Sequence, residues 1–183
     1  PEIRLFVEDG RSFVRRSDEK YQIIQATLVD TWASTAAGAF ALTENNLYTT
    51  DAFHDYLSHL TDDGILAFTR WGFEPPRESL RLLSLARVAL LRLGEKNVAN
   101  HVLVGRANTR LLNQWGATDT VIISRRPIPK ERIPAIVAQI GSAGLQPVYW
   151  PGSPFPTAFG AYLTAADPEA FYKSYKYDVS PVT

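Results

Sequence analysis

Two aspartates carry the residue types and spacing that could do chemistry in this 183-residue chain. Asp9-Gly10 follows the strand-like run Ile3-Arg4-Leu5-Phe6-Val7, and Asp30 follows a second apolar run opening at Tyr21-Gln22-Ile23-Ile24. Both carboxylates therefore sit where strands should end. In an open parallel α/β sheet, ligands bind outside the carboxyl ends of the strands. The pair marks a candidate site, but only half of one. A nucleotide-binding α/β domain opens on a strand, a glycine-rich turn and a helix, and no G-x-G occurs anywhere in the chain. Each aspartate also has a plainer use: Asp9 can bond its own turn backbone, and Asp30 can cap the loop that follows it.

Other chemistries are poorly provided for. The absence of cysteine removes disulfides, thiolate metal sites and thiol nucleophiles together. His54 and His59 are five residues apart, which does not bring them to one helical face for a metal, and they read as surface residues. Ser34 and Ser153 have no His and Asp in a recognisable hydrolase arrangement. Trp32, Trp71, Trp115 and Trp150 are scattered and read as packing residues. No metal site is expected.

Formal net charge is zero, so bulk attraction to nucleic acid is not indicated. The zero hides an asymmetry. Residues 21–69 contain no Lys or Arg, whereas Asp30, Glu44, Asp51, Asp55, Asp62 and Asp63 are all acidic. Such a segment beside a strand-end loop would favour a cationic ligand through its summed field; a solvated helix face is the bland alternative. No apolar run is long enough to cross a bilayer.

The elements that must position these residues alternate. After the strand Ile3–Val7 comes a short helix, Arg11–Lys20, then a buried strand, Tyr21–Leu28, with Ile23 and Ile24 at its centre. Residues 32–46 read as a loop over the site. Thr50 or Asp51 caps a helix running to about Leu60, and Asp63-Gly64 turns the chain into the strand Ile65–Thr69. Arg77–Leu93 has the apolar spacing of a packed helix, closed by Gly94. His101–Val104 and Thr120–Ser124 are further strands, bridged by a polar stretch containing Trp115-Gly116. A helix over Lys130–Ser142, a strand over Gln146–Trp150, a proline-rich loop at 151–156 and a helix beginning at Asp167-Pro168 complete the chain. This order predicts an α/β domain with a mainly parallel sheet. A boundary near Pro127–Pro129 divides it into residues 1–127 and a C-terminal extension, 128–183. The chain has no methionine and opens at Pro1 directly before a strand-like run, so we expect a domain cut from a longer polypeptide.

Taken in order, Asp9-Gly10-Arg11-Ser12-Phe13, Tyr21-Gln22-Ile23-Ile24, Asp30, Leu47-Tyr48-Thr49 and Asp63-Gly64-Ile65-Leu66 resemble the spermidine synthase (aminopropyltransferase) family over roughly the first 125 residues. The likeness is closest to the spermidine-synthase-like domains of large bacterial multi-span membrane proteins: the phrases Val29-Asp30-Thr31-Trp32-Ala33-Ser34 and Tyr177-Asp178-Val179-Ser180-Pro181-Val182-Thr183 are similar to theirs. The resemblance implies a Rossmann-like, class I methyltransferase-type sheet lacking its first strands and glycine-rich turn. It also implies a soluble domain on the cytoplasmic side of a membrane-anchored parent.

The same resemblance implies that S-adenosylmethionine or its decarboxylated form is the co-substrate, with Asp9 and Gly10 at the nucleoside. Asp30 would hold the small cationic amine, and Tyr48 would lie near the substrate pocket. The family's catalytic proton acceptor is Thr27 here, and Gln22 replaces another usual aspartate. Threonine is a poor base, so Asp30 would have to take that role. Three outcomes stay open: aminopropyl transfer in the intact parent with this chain inactive alone, a non-catalytic domain, or a methyltransferase on another acceptor. In this fold two strands separate Ile3–Val7 from Tyr21–Leu28. The isolated chain must therefore leave an edge open, pair it with a second copy as a homodimer, or rearrange.

Overall fold

The computed structural model describes residues 2–27, 46–107 and 117–183. Residues 2–7 form neither helix nor strand, and Ile3, Leu5, Phe6 and Val7 are exposed. The expected first strand is therefore not formed. A strand is completed by hydrogen-bonding to a neighbour, and among the described residues this one has no strand beside it. Asp9 starts α1 (Gly10–Arg16) and accepts a hydrogen bond from the Ser12 amide at 2.8 Å. Next come β1 (Tyr21–Thr27), α2 (Thr50–Ser58) and β2 (Leu60–Gly72). The cap of α2 is Thr49, one residue earlier than expected: its hydroxyl accepts from the Ala52 amide.

Beyond β2 lie α3 (Glu78–Arg92), β3 (Val102–Ala107), β4 (Ala117–Ser124), α4 (Ile133–Ser142), β5 (Leu145–Tyr149), α5 (Ala158–Leu163) and α6 (Pro168–Ser174). Pro134 sits in the first turn of α4, where its missing N–H costs nothing. The sequence reading passed over α5, a short helix capped by Thr157, whose hydroxyl accepts from the Gly160 amide. Arg87 of α3 closes its other end by donating to the carbonyls of Tyr162, Leu163 and Ala165 at 2.9–3.3 Å. The Leu163 carbonyl is among the groups a helix terminus leaves unpaired, and Ala165 lies just beyond that end.

The sheet order is β1-β2-β4-β3-β5. Among the described residues only β1 and β2 are parallel; β2–β4, β4–β3 and β3–β5 are antiparallel, which corrects the mainly parallel expectation. The antiparallel half arises because β4 inserts between β2 and β3. The boundary expected at Pro127–Pro129 falls inside this one sheet, since β5 hydrogen-bonds to β3.

Alternation along the strands sorts the two faces. Leu66, Phe68, Val102, Val104, Val121 and Ile123 pack with α2 and α3 in the main core, while Leu103 and Ile122 point to the opposite face and pack with α4. β1 is an edge strand rather than the buried one expected. Ile23 is 60 % exposed, and only Tyr21, Ile24 and Ala26 are partly covered.

One buried titratable group lies beneath the sheet's far end. His101 is fully buried; its Nδ1 lies 3.0 Å from the Ser124 carbonyl, and its Nε2 is 3.5 Å from the Glu95 carboxylate. Arg125 and Arg126 also face this group, both ion-paired to Glu95. Burial pushes the imidazole pKa down. A folded-state pKa below the unfolded one gives stability that is fully present above the unfolded value, about 6.5, and is lost as pH falls through the folded value. We expect the urea midpoint to fall between pH 7 and 5, and His101→Gln to flatten that part of the profile. An unchanged slope in the variant would assign the acid sensitivity elsewhere.

Candidate functional site

Because β1 and β2 run parallel, their carboxyl ends lie together: Thr27 pairs in register with Thr69, one residue before Arg70. Helices α1 and α2 return toward the amino ends of these strands, so their own N-termini stand at this same end. Contacts tie the pieces together. Arg11 donates to Asp55 at 3.0 Å and to the Asn46 carbonyl at 3.2 Å, holding the start of α1 against the entry to α2. The Arg70 guanidinium lies 4.9 Å from the centre of the Tyr48 ring, and its Nη1 donates to the Tyr48 hydroxyl at 3.4 Å. Tyr48 and Arg70 thus meet at the carboxyl end of the parallel pair, where Thr27 pairs with Thr69, while Asp9 and Gly10 open α1, which Arg11 ties to Asn46 and to Asp55 of α2. Asp30 lies outside the described residues, as do residues 32–45 of the loop expected at 32–46 and the stretch containing Trp115-Gly116.

Asp9 is exposed, and its carboxyl is held below the usual carboxylate range, chiefly by the Ser12 backbone N–H. It is ionised at neutral pH and spends one oxygen on capping α1. Gly10 has no positive φ, and a Cβ built there would meet nothing within 4 Å. No described part of the chain demands glycine at this turn. The open space leaves the turn backbone accessible to something approaching from outside.

Tyr48 is half-buried, 5.8 Å from Phe68 between ring centres, so it packs on the core as well as facing the strand ends. It borders a cavity of about 300 Å³ together with Arg70, Glu78, Arg81, Leu82 and Leu85. Arg70 is ion-paired to Glu78 at 3.1 Å. The sequence reading found Tyr48 but neither the arginines nor Glu78, which come from β2 and α3.

Next to this cavity is a second group that sequence reasoning missed. Asp119, opposite Arg70 in the β2–β4 register, has no exposed surface. Its carboxylate accepts from Arg106 at 2.7 and 3.2 Å and from the Ser79 hydroxyl at 2.8 Å. Arg106 also donates to Glu74 and to the Phe73 carbonyl. Gly72 lies so close that an added Cβ would come within 2.4 Å of Asp119 Oδ1. The network pins the connection between β2 and α3, and with it the N-terminal turn bearing Glu78. A strand aspartate at inward parity with Val121 and Ile123 was the available signal, since a buried carboxylate needs a cation.

Among the described residues, three of the acids counted along residues 21–69 are paired with arginines. Asp51 pairs with Arg92 at 2.6 Å, Asp55 with Arg11 at 3.0 Å and Asp62 with Arg126 at 3.2 Å. Arginines from distant elements offset the field that local counting suggested. His59 is not simply a surface residue: it caps α2, and its ring nitrogens lie 2.7 Å from the Asp55 carbonyl and 3.1 Å from the Ser17 carbonyl. Among the described residues, no group of three or more His, Asp or Glu side chains could hold a metal ion, and no helix is long and apolar enough to cross a membrane.

No protein-family model matches the chain, and no curated protein matches it in sequence. In fold it is similar to the crystal structure of a probable spermidine synthase from Corynebacterium glutamicum ATCC 13032, with a TM-score of 0.51 and 15 % identity. The match covers 97 % of this chain and 53 % of that one. The fold is thus mixed α/β, similar to that of the probable spermidine synthase. The chain spans about half the length of the structure it matches.

Proposed function

We propose that this chain is the second half of a spermidine-synthase-like group transferase, contributing the nucleoside turn and the acceptor side of the site but not turning over alone. In the intact parent, an uncharged amine would attack the carbon beside the sulfonium of decarboxylated S-adenosylmethionine. The new C–N bond forms as the C–S bond breaks, methylthioadenosine leaves, and the amine gives up a proton. The sulfonium is already a good leaving group, so the protein's share is positioning and proton acceptance. Asp9 and Gly10 would meet the nucleoside, Tyr48 the substrate, and Asp30 the amine as binder and proton acceptor. What supports this reading is an ionised Asp9 and an unobstructed Gly10 opening α1, together with Tyr48 against Arg70 at the carboxyl end of the parallel pair β1–β2.

A second reading, a domain that keeps the fold without catalysis, is favoured by Thr27. That residue ends β1 at the register of Thr69, with no carboxylate at its own position. A methyltransferase on a different acceptor would not need a carboxylate there. We further propose that the domain faces the cytoplasm on a membrane-anchored parent, in line with the sequence resemblance.

Calorimetric titration with methylthioadenosine tests the nucleoside half. Asp9→Ala removes both carboxylate and cap, and the lost cap alone costs about 1 kcal/mol of stability. Asp9→Ser keeps a capping oxygen and removes the charge. We expect wild-type binding to fall at least tenfold in both variants. Equal binding by wild type and Asp9→Ser would remove Asp9 from the site.

A further inference from the structure

The face of the sheet that α4 packs on is only half covered. Leu103 and Ile122 lie under α4 and Ile128, whereas Ile65 and Ala67 of β2, on the same face, belong to neither apolar core. Because side chains alternate along a strand, the burial of Leu66 and Phe68 in the main core turns Ile65 and Ala67 to this second face. Register makes the positions continuous: Ala67 pairs with Ile122, and Ile65 with Ser124. A cavity of about 380 Å³ opens here, with Ile65, Ile122 and Ile136 as its apolar floor. It lies at the Asp63 end of β2, away from Thr27, Ala107 and Ala117, where the described residues break off. Its rim is balanced in charge. Asp62 and Arg126 line it and are bonded to each other at 3.2 Å. Asp63 and Arg132 line it too; both are exposed, and neither has an ion-pair partner among the described residues.

We propose that this face seats a second copy of the same chain about a two-fold axis, with Asp63 against Arg132 of the partner subunit and the two apolar floors closed on each other. An apolar centre ringed by polar groups is the anatomy of a protein–protein contact. In a two-fold contact the same patch serves both copies, so each residue pair across it occurs twice. A patch that carries one unpaired carboxylate and one unpaired guanidinium is complementary to itself, whereas a patch of a single sign would repel its own copy. That complementarity selects a second copy over a strongly charged partner of another kind. Zero net charge leaves no long-range repulsion against the approach. Because the cavity lies at the opposite end of β2 from Arg70 and Tyr48, the pairing leaves the candidate site open.

Sedimentation velocity of the full chain, followed up to hundreds of micromolar, is expected to show a monomer–dimer equilibrium. Asp63→Arg and Arg132→Asp each place like charges across both contacts, and each alone should weaken self-association at least tenfold. Mixed in equal amounts, the two variants should regain the wild-type association. In the mixed pair one contact keeps Asp63 against Arg132, and the other reverses both partners. Both positions are exposed, so each variant should fold as the wild type does, which thermal unfolding reports. A wild-type chain that stays monomeric at the highest concentration would overturn the proposal. So would self-association indifferent to both reversals, the result expected of pairing at the β1 edge. Loss in the single variants that mixing does not repair would overturn it as well.

Discussion

Replacing Asp119 with alanine is expected to lower the stability of the fold by about 3–5 kcal/mol, the range for breaking a buried ion pair by removing one partner. Asp119 is fully buried and takes three hydrogen bonds from Arg106 and Ser79. Without it, the Arg106 guanidinium keeps only Glu74 and the Phe73 carbonyl, at the edge of the same buried site. An arginine guanidinium keeps its proton in any protein setting, so the cation left behind cannot escape by losing it. Ser79→Ala, which removes one neutral donor, should cost about 1 kcal/mol. Urea denaturation of Asp119→Ala, Arg106→Ala and the double variant measures the coupling directly. A loss below about 1 kcal/mol in Asp119→Ala would mean that water enters and replaces the carboxylate.

Phe53→Ala should cost a similar amount by a different route, about 3–5 kcal/mol for deleting a buried aromatic side chain and leaving a cavity. Phe53 is fully buried on α2, stacked on Phe68 at 5.1 Å with an interplanar angle of 12°, and 6.1 Å from Tyr56. It locks α2 to β2, and therefore fixes where Tyr48 enters the strand ends. Phe155, 63 % exposed, is the control: Phe155→Ala should change stability by no more than about 0.5 kcal/mol. Thermal unfolding of the two variants separates them. Similar losses for both would contradict the core assigned here.

Some of this was legible in the sequence, because the signals were local. The apolar spacing of Leu80, Leu83, Ala86 and Leu90 gives α3, and Gly94 at φ 87° ends it. Asp9 announces the start of α1 in the same way, as a carboxylate three residues before the Ser12 amide that it caps. What was not legible depends on partners far along the chain. Ile23-Ile24 reads as the middle of a buried strand, yet whether a strand is central or at an edge depends on its neighbours, and β1 has only β2 beside it among the described residues. The antiparallel half of the sheet is set by where β4 inserts, which no local pattern records. The acidic stretch looked like a cation site because Arg92, Arg11 and Arg126 lie 41, 44 and 64 residues from the acids they bond. For the site, sequence named Asp9, Gly10, Tyr48 and Asp30, the last of which lies outside the described residues. It could not supply Arg70, Glu78 and Arg81, because three charged residues on β2 and α3 become neighbours only when the sheet forms.

The outer side of β1 bears on how the chain behaves in concentrated solution. Natural sheets guard an edge with lysine, proline or an outward twist. Tyr21-Gln22-Ile23-Ile24-Gln25-Ala26-Thr27 contains no charge and no proline, and the neighbouring Ile3, Leu5, Phe6 and Val7 are exposed as well. A seven-residue uncharged strand of high β-propensity is the composition that seeds fibrillar stacking. Because net charge is zero, long-range repulsion does little to keep copies apart. Among the described residues this strand is the segment best suited to edge-to-edge pairing with a second copy, and Ile23→Lys would guard it without touching the strand end where the candidate site lies.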